Sequence, residues 1–141
     1  MKQKTMEENM ESCIFCKIIS GEVPCHTIYE DDEVIAFLDV SQDVYGHTLV
    51  VPKKHVKNIL DCDEELLNKV MAVVQKISKH YVENCGIKGV VVTNNNNYEA
   101  GQSVFHLHFH ILPRMDAKEN RHAKAGSIKI SLADQERHLR M

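Results

Sequence analysis

Three histidines alternate with apolar residues in the stretch Val104-Phe105-His106-Leu107-His108-Phe109-His110-Ile111-Leu112. An extended backbone sends successive side chains to opposite faces. A strand here therefore sets His106, His108 and His110 on one face and Phe105, Leu107, Phe109 and Ile111 on the other. Each imidazole titrates near neutral pH, and three in a row cannot all carry charge without a ligand. Two chemistries suit such a row: nucleophilic and electrostatic catalysis on an anion, or metal ligation by neutral imidazole. The bland alternative is a solvated strand face, which strict alternation disfavours.

A second chemical signal is Cys13-x-x-Cys16. Alone it reads as a zinc half-site, a redox pair or chance. Cys25, Cys62 and Cys85 lack partners at metal spacing and read as ordinary small residues. His26, His55, His80, His122 and His138 read as surface residues. Just before the histidines, Gly101 permits the close backbone approach an anion site needs. Asp39 sits where a strand-end turn residue would sit, and Asn95 belongs to a run of four asparagines that reads as loop.

Composition bounds what these residues can serve. The 141 residues suffice for one domain with a real core. Hydrophobic residues at 43% and charged residues at 26% fit a soluble globular chain. A net charge of −3 gives no general drive towards nucleic acid. No apolar run approaches the ~20 residues of a membrane span, and the polar start lacks a signal-peptide core. An odd number of cysteines, five, suits a reducing compartment better than a disulfide framework. The expectation is an intracellular, cytoplasmic protein with neither membrane nor nucleic-acid partners.

The elements that must carry the histidines follow from periodicity. Residues 1–11 read as a flexible N-terminus. Ser12 is the expected cap of a short helix with Ile14, Phe15, Ile18 and Ile19 inside and Gly21 at its end. Residues 23–30 and 33–39 read as strands around an acidic turn, and 47–51 as a third strand closed by Pro52. Asp61 or Asp63 caps a long helix whose stripe is Leu66, Leu67, Val70, Val73, Val74, Ile77 and Tyr81, with Gly86 as its stop. Residues 90–93 form a fourth strand, and the histidine strand, ending at Pro113, is the fifth. Residues 115–141 are a charged tail without clear period. The predicted architecture is α+β: a five-stranded antiparallel sheet with one long and one short helix, in a domain spanning 12–114.

The run His106-Leu107-His108-Phe109-His110-Ile111-Leu112 resembles the signature of the histidine triad family of nucleotide hydrolases and transferases. Four further stretches resemble family landmarks in the right order: Phe15-Cys16-Lys17-Ile18-Ile19, Ala36-Phe37-Leu38-Asp39, residues 46–55 (GHTLVVPKKH) and Ala100-Gly101-Gln102-Ser103-Val104. The resemblance implies attack by the middle histidine, His108, on the α-phosphorus of a nucleoside phosphate, giving a nucleotidyl-histidine that water hydrolyses. It implies that His110 bonds a phosphate oxygen, and that Gln102 and Ser103, with Gly101, hold phosphate oxygens and the leaving group. Asp39 becomes the ribose-binding acid, and Asn95 a polar neighbour of the phosphates. Ile14, Phe15, Ile18, Phe37 and Val40 become the apolar slot for the base. Purine nucleotides such as AMP or GMP, or their derivatives, are the implied ligands.

A zinc-bearing subset of the family resembles this chain in Cys13 and Cys16, which it joins to an upstream histidine and the first triad histidine. The matching residues are His47 and His106, in a structural Cys2His2 site. In metal-free relatives the residue matching His47 orients the catalytic strand. A homodimer with a continuous ten-stranded sheet is likewise implied by resemblance. The chain lacks the tryptophan of the phosphoramidase branch's C-terminal segment, and some of its motifs stand closer to the dinucleoside polyphosphate hydrolases, for which Arg114 could contact a polyphosphate. The leading expectation is a nucleotide hydrolase or transferase that cleaves nucleoside phosphoramidates or related nucleotidyl compounds at the α-phosphate, with the leaving group, an amine or another nucleotide, left open. Dinucleoside polyphosphate hydrolysis, a nucleotide sensor with little turnover and a zinc protein without nucleotide chemistry are the alternatives.

Overall fold

The computed structural model describes residues 10–117 and 125–141, so most of the expected flexible N-terminus, and His122, lie outside the described residues. Helix α1, Ile14–Ile19, starts one residue later than expected. Its cap is Cys13, whose Sγ accepts the Cys16 N–H at 3.4 Å, because residues Met10–Ser12 are already wound into a 3-10 turn. Strand β1, Thr27–Glu30, is shorter than its apolar run, since Pro24 brings no N–H to a ladder. Strands β2, Val34–Leu38, and β3, Thr48–Pro52, are buried along their whole length. They alternate between two cores: Ala36, Leu38 and Val50 face one side, while Ile35, Phe37, Leu49 and Val51 face α1. Burial on both faces explains why these strands read as nearly continuous apolar runs.

Helix α2, Glu64–Asn84, covers the first side with the expected stripe. Asp63 is its cap, accepting the Leu66 N–H at 2.8 Å. Strand β4, Gly89–Thr93, and strand β5, Phe109–Arg114, complete one antiparallel sheet in the order β1-β2-β3-β5-β4. The architecture is the predicted α+β sheet with helices.

Two further features depart from expectation. The ladder of β5 begins only at Phe109, so only the second half of the stretch expected from residue 104 joins it. The preceding stretch leaves the ladder because the Leu107 N–H donates to Val56 O at 2.8 Å. Alternation survives this bend: Leu107, Phe109 and Ile111 all pack in the α2 core. The second departure is in the tail, where a helix α3, Leu132–Leu139, packs on the sheet. Ser131 caps it, and only Gln135 and Leu139 are buried, too few positions in so charged a stretch to register as a period.

Candidate active site and metal centre

A cavity of about 670 Å³ opens between α1, the ends of β2 and β5, and α3. That volume lies in the range of small-ligand sites. Its walls include Ile14, Phe15, Ile18, Phe37, Asp39, Val40, Ser103, His108 and His110, all expected site residues, with Leu132 contributed by α3.

His108 is 8% exposed. Its Nδ1 lies 2.8 Å from the His106 carbonyl oxygen, which only a protonated nitrogen can satisfy. Nδ1–H therefore donates, and Nε2 keeps its lone pair. Burial pushes the imidazole below its ordinary range, so the neutral, nucleophilic form dominates at pH 7. The His110 ring centroid is 5.0 Å away. Burial, and then the neighbouring His108 and His47, push His110 down to about 4.

Behind His110 runs a hydrogen-bonded chain. His110 Nδ1 lies 2.9 Å from His47 Nε2, and His47 Nδ1 lies 2.7 Å from Asp43 Oδ1 and 3.3 Å from Asp39 Oδ2. Two carboxylates thus back two imidazoles, an arrangement that stabilises a proton arriving on His110. Burial works to raise the Asp43 carboxyl, but the hydrogen bond and charge of His47 outweigh it and hold the group below the usual carboxylate range. Sequence reasoning missed Asp43. The only signal was an acid four residues before His47, which has no meaning in a loop until the loop is folded.

Three expected phosphate ligands do other work. Gln102 is 3% exposed, and its amide is fully committed. Oε1 accepts from Asn58 Nδ2 and the Asn97 N–H, while Nε2 donates to Lys57 O and Val104 O. An amide has two lone pairs and two hydrogens, so none is left for phosphate. Gln102 instead clamps the loop that presents Ser103. Asn95 is exposed and donates to Ala100 O inside the same loop, whereas its neighbour Asn94 donates to His108 O at 2.9 Å. Gly101, at φ +91°, ends the 3-10 turn Tyr98–Ala100 and is absent from the cavity wall. Arg114 lies four residues along β5 from His110, roughly 13 Å at strand rise, and is absent from the cavity wall.

On the opposite side of His108, four ligand atoms come within 4.8 Å of one another: Cys13, Cys16, His55 and His106. His106 Nε2–H donates to Pro52 O at 2.8 Å, which leaves its bare Nδ1 3.4 Å from Cys13 Sγ and 3.6 Å from Cys16 Sγ. His55 Nδ1 stands 3.3 Å from Cys16 Sγ. His47 is not in this cluster, which corrects the expected ligand set, and His55 is no mere surface residue. The cause is strand direction. β3 runs antiparallel to β5, pairing Thr48 with Ile111 and Val50 with Phe109. The residue entering β3, His47, therefore meets His110, and the chain leaving β3 meets His106. Burial, then the hydrogen bond and charge of Cys13, push the Cys16 thiol up to about 12, unlike the lowered thiol of a reactive redox pair.

Comparison with known proteins agrees with this geometry. The HIT domain model matches residues 20–117. Protein hit of Bacillus subtilis is 48% identical over 104 residues, covering 74% of this chain and 72% of that protein. A Schizosaccharomyces pombe protein named adenosine 5′-monophosphoramidase is 38% identical over 103 residues, covering 73% and 74%. The crystal structure of a zinc-bound histidine triad family protein from Mycobacterium smegmatis matches with a TM-score of 0.84 at 32% identity, covering 94% of this chain and 93% of that one. With three alternating histidines, two of them on the wall of one cavity and the first turned to a pair of thiols, such matches leave one conclusion: the chain belongs to the HIT, or histidine triad, family.

Proposed function

We propose that this protein hydrolyses nucleoside 5′-phosphoramidates, or closely related nucleotidyl compounds, at the α-phosphorus through a nucleotidyl-His108 intermediate. The observation that carries this reading is the bond from His108 Nδ1 to the His106 carbonyl, which leaves a bare Nε2 on a residue of the cavity wall. Attack by Nε2 forms a nitrogen–phosphorus bond and breaks the bond to the leaving amine. The amine needs a proton, and the chain Asp43–His47–His110 is placed to hold one beside the phosphate. Water then cleaves the nucleotidyl-histidine, returning His108 and releasing the nucleoside monophosphate. His110 balances charge on the phosphate oxygens, and Ser103 stands on the wall beside it. Asp39 bonds the ribose hydroxyls, and Phe15, Ile18, Phe37 and Val40 take the base. Few polar groups face the base, so purines such as those of AMP and GMP are both accommodated.

Cys13, Cys16, His55 and His106 fit a zinc ion. A Cys2His2 donor set with the His106 lone pair already turned towards both thiols is the chemistry of a closed structural site. Zinc there would cross-link α1, the end of β3 and the triad, and would leave His108 and His110 to the nucleotide. A cytoplasmic homodimer completes the reading. Among the described residues no helix is long and apolar enough to cross a membrane.

The test is a parallel assay of adenosine 5′-phosphoramidate and diadenosine tetraphosphate with wild type and His108→Ala. The expected result is preference for the phosphoramidate, lost in the variant. Preference for the tetraphosphate moves the protein to polyphosphate hydrolysis, and activity surviving in His108→Ala overturns the mechanism.

A further inference from the structure

Residues 126–139 lie beyond the stretch matched by the HIT domain model, yet they run along the loop that joins β2 to β3. That loop carries Asp39, Asp43 and His47, and it closes on itself where the Asp39 N–H donates to His47 O. The Gly126 N–H donates to Ser41 O at 2.6 Å, and the Ile128 N–H to Gln42 O at 2.9 Å. The Ser41 hydroxyl in turn donates to the Asp39 carboxylate. At the loop's far end stands Gln135, 1% exposed. Its Oε1 accepts the Gly46 N–H at 2.8 Å, while its Nε2 donates to Gln42 Oε1 at 3.1 Å and Ile130 O at 2.8 Å. Gly46 itself has φ +75°, and a Cβ there would stand only 2.8 Å from Leu139 Cδ1. The helix is seated directly on the residue before His47.

We propose that residues 126–139 form a strap that pre-sets the ribose-binding geometry of Asp39, with Gln135 as its positioning residue. This rests on the reading of Asp39 as the ribose acid. Residues 39–47 lack ladder partners of their own, and each residue that must be ordered costs conformational entropy. A loop fixed before the ligand arrives spares the ligand that cost. Gln135 suits the task because one amide supplies the acceptor for Gly46 and the donor for Gln42 together. Leucine, of similar size, would leave both of those groups without their partner.

The experiment compares wild type, Gln135→Leu and Gln42→Asn. Asparagine tolerates the φ of +51° at residue 42 but is one methylene too short to keep the bond to Gln135, so it tests the strap without touching α3 if Gln135→Leu fails to fold. Binding of AMP and of 2′,3′-dideoxy-AMP is measured by calorimetry, and kcat and KM with adenosine 5′-phosphoramidate. In Gln135→Leu the AMP Kd and the KM rise about tenfold while kcat changes less than about threefold, and dideoxy-AMP binding is unchanged because it lacks the hydroxyls Asp39 would hold. Gln42→Asn moves the same values about threefold. A merely destabilising change would lower the active fraction, and so kcat, at constant KM. Equal losses for both nucleotides, or none for either, overturn the proposal. If wild type binds neither nucleotide, the reading of the site fails on its own. The strap is then judged by amide exchange at Gly46, which speeds in Gln135→Leu if the strap holds the loop and stays unchanged if it does not.

Discussion

His106 and His108 are two residues apart and both deeply buried, yet they face different worlds. His106 spends its Nε2 proton on the Pro52 carbonyl and turns a bare Nδ1 to two thiols. His108 spends its Nδ1 proton on the His106 carbonyl and keeps a bare Nε2 on a residue of the cavity wall. The ring is the same and the nitrogens are exchanged. Each tautomer is assigned from its partner, a carbonyl that can only accept. The comparison teaches that residue type supplied two equivalent imidazoles, and the main-chain carbonyl within reach of each decided which turns a bare nitrogen to the thiols and which keeps one on the cavity side.

The sharpest way to break that comparison is to remove each ring in turn. His108→Ala is expected to lower kcat by more than about a thousandfold while AMP binding and zinc content stay at wild-type levels. His106→Ala is expected to do the reverse in kind: metal is lost and the folded fraction falls. Zinc loss in His108→Ala of the same size as in His106→Ala would erase the division.

A second test separates His55 from His47. Cys16→Ser and His55→Ala should cut zinc from about one per chain to a small fraction and lower Tm by roughly 5 °C or more. His47→Ala should keep the metal and lose turnover instead. Elemental analysis of protein purified without chelator, beside a melting curve, reads both. Full zinc in His55→Ala would return His47 to the ligand set.

Much of this was legible in the chain. The period of α2, its cap at Asp63 and the buried runs of β2 and β3 follow from local pattern, and so does the common cavity of Phe15, Asp39 and His108 once the motifs are placed. What escaped depends on register and on long loops. No spacing rule distinguishes His47 from His55, because the choice is made by β3 running antiparallel to β5. Nothing local shows that Gln102 has spent its amide on Lys57, Asn58, Asn97 and Val104. Asp43 gains meaning only when its loop folds it against His47, and Gln135 only when that loop meets a short terminal helix, 89 residues apart in sequence at Gly46.

A third prediction asks whether His110 belongs fully to the catalytic side. Asp43→Asn keeps the shape at His47 but replaces an anion with a neutral amide. A proton held on His110 and shared with His47 then loses its counter-charge. The expected outcome is a fall in kcat of roughly tenfold, about 1.4 kcal/mol, with KM little changed. A variant with wild-type kcat would show that the chain behind His110 is structural.

The smallest effect is in the pH dependence, and its sign follows from His110. In the nucleotide-free protein its pKa is depressed to about 4, against about 6.5 in an unfolded chain. Between these values the unfolded state binds more protons than the folded one, so stability rises with pH across that window. On acidification the loss begins near pH 6.5, accumulates towards pH 4 and stops growing below it. A bound phosphate anion reverses the balance at the same ring, because it favours the imidazolium and raises the folded pKa. AMP should therefore protect the protein more at pH 5.5 than at pH 7.5, and its binding at pH 6.5 should take up a fraction of a proton, read by calorimetry in two buffers of different ionisation enthalpy. Asp43→Asn should reduce that uptake, since the carboxylate that stabilises the incoming proton is gone. Proton release on binding, or uptake unaltered in Asp43→Asn, would place His110 outside the charge balance of the phosphate and leave His108 as the only triad histidine on the chemical side.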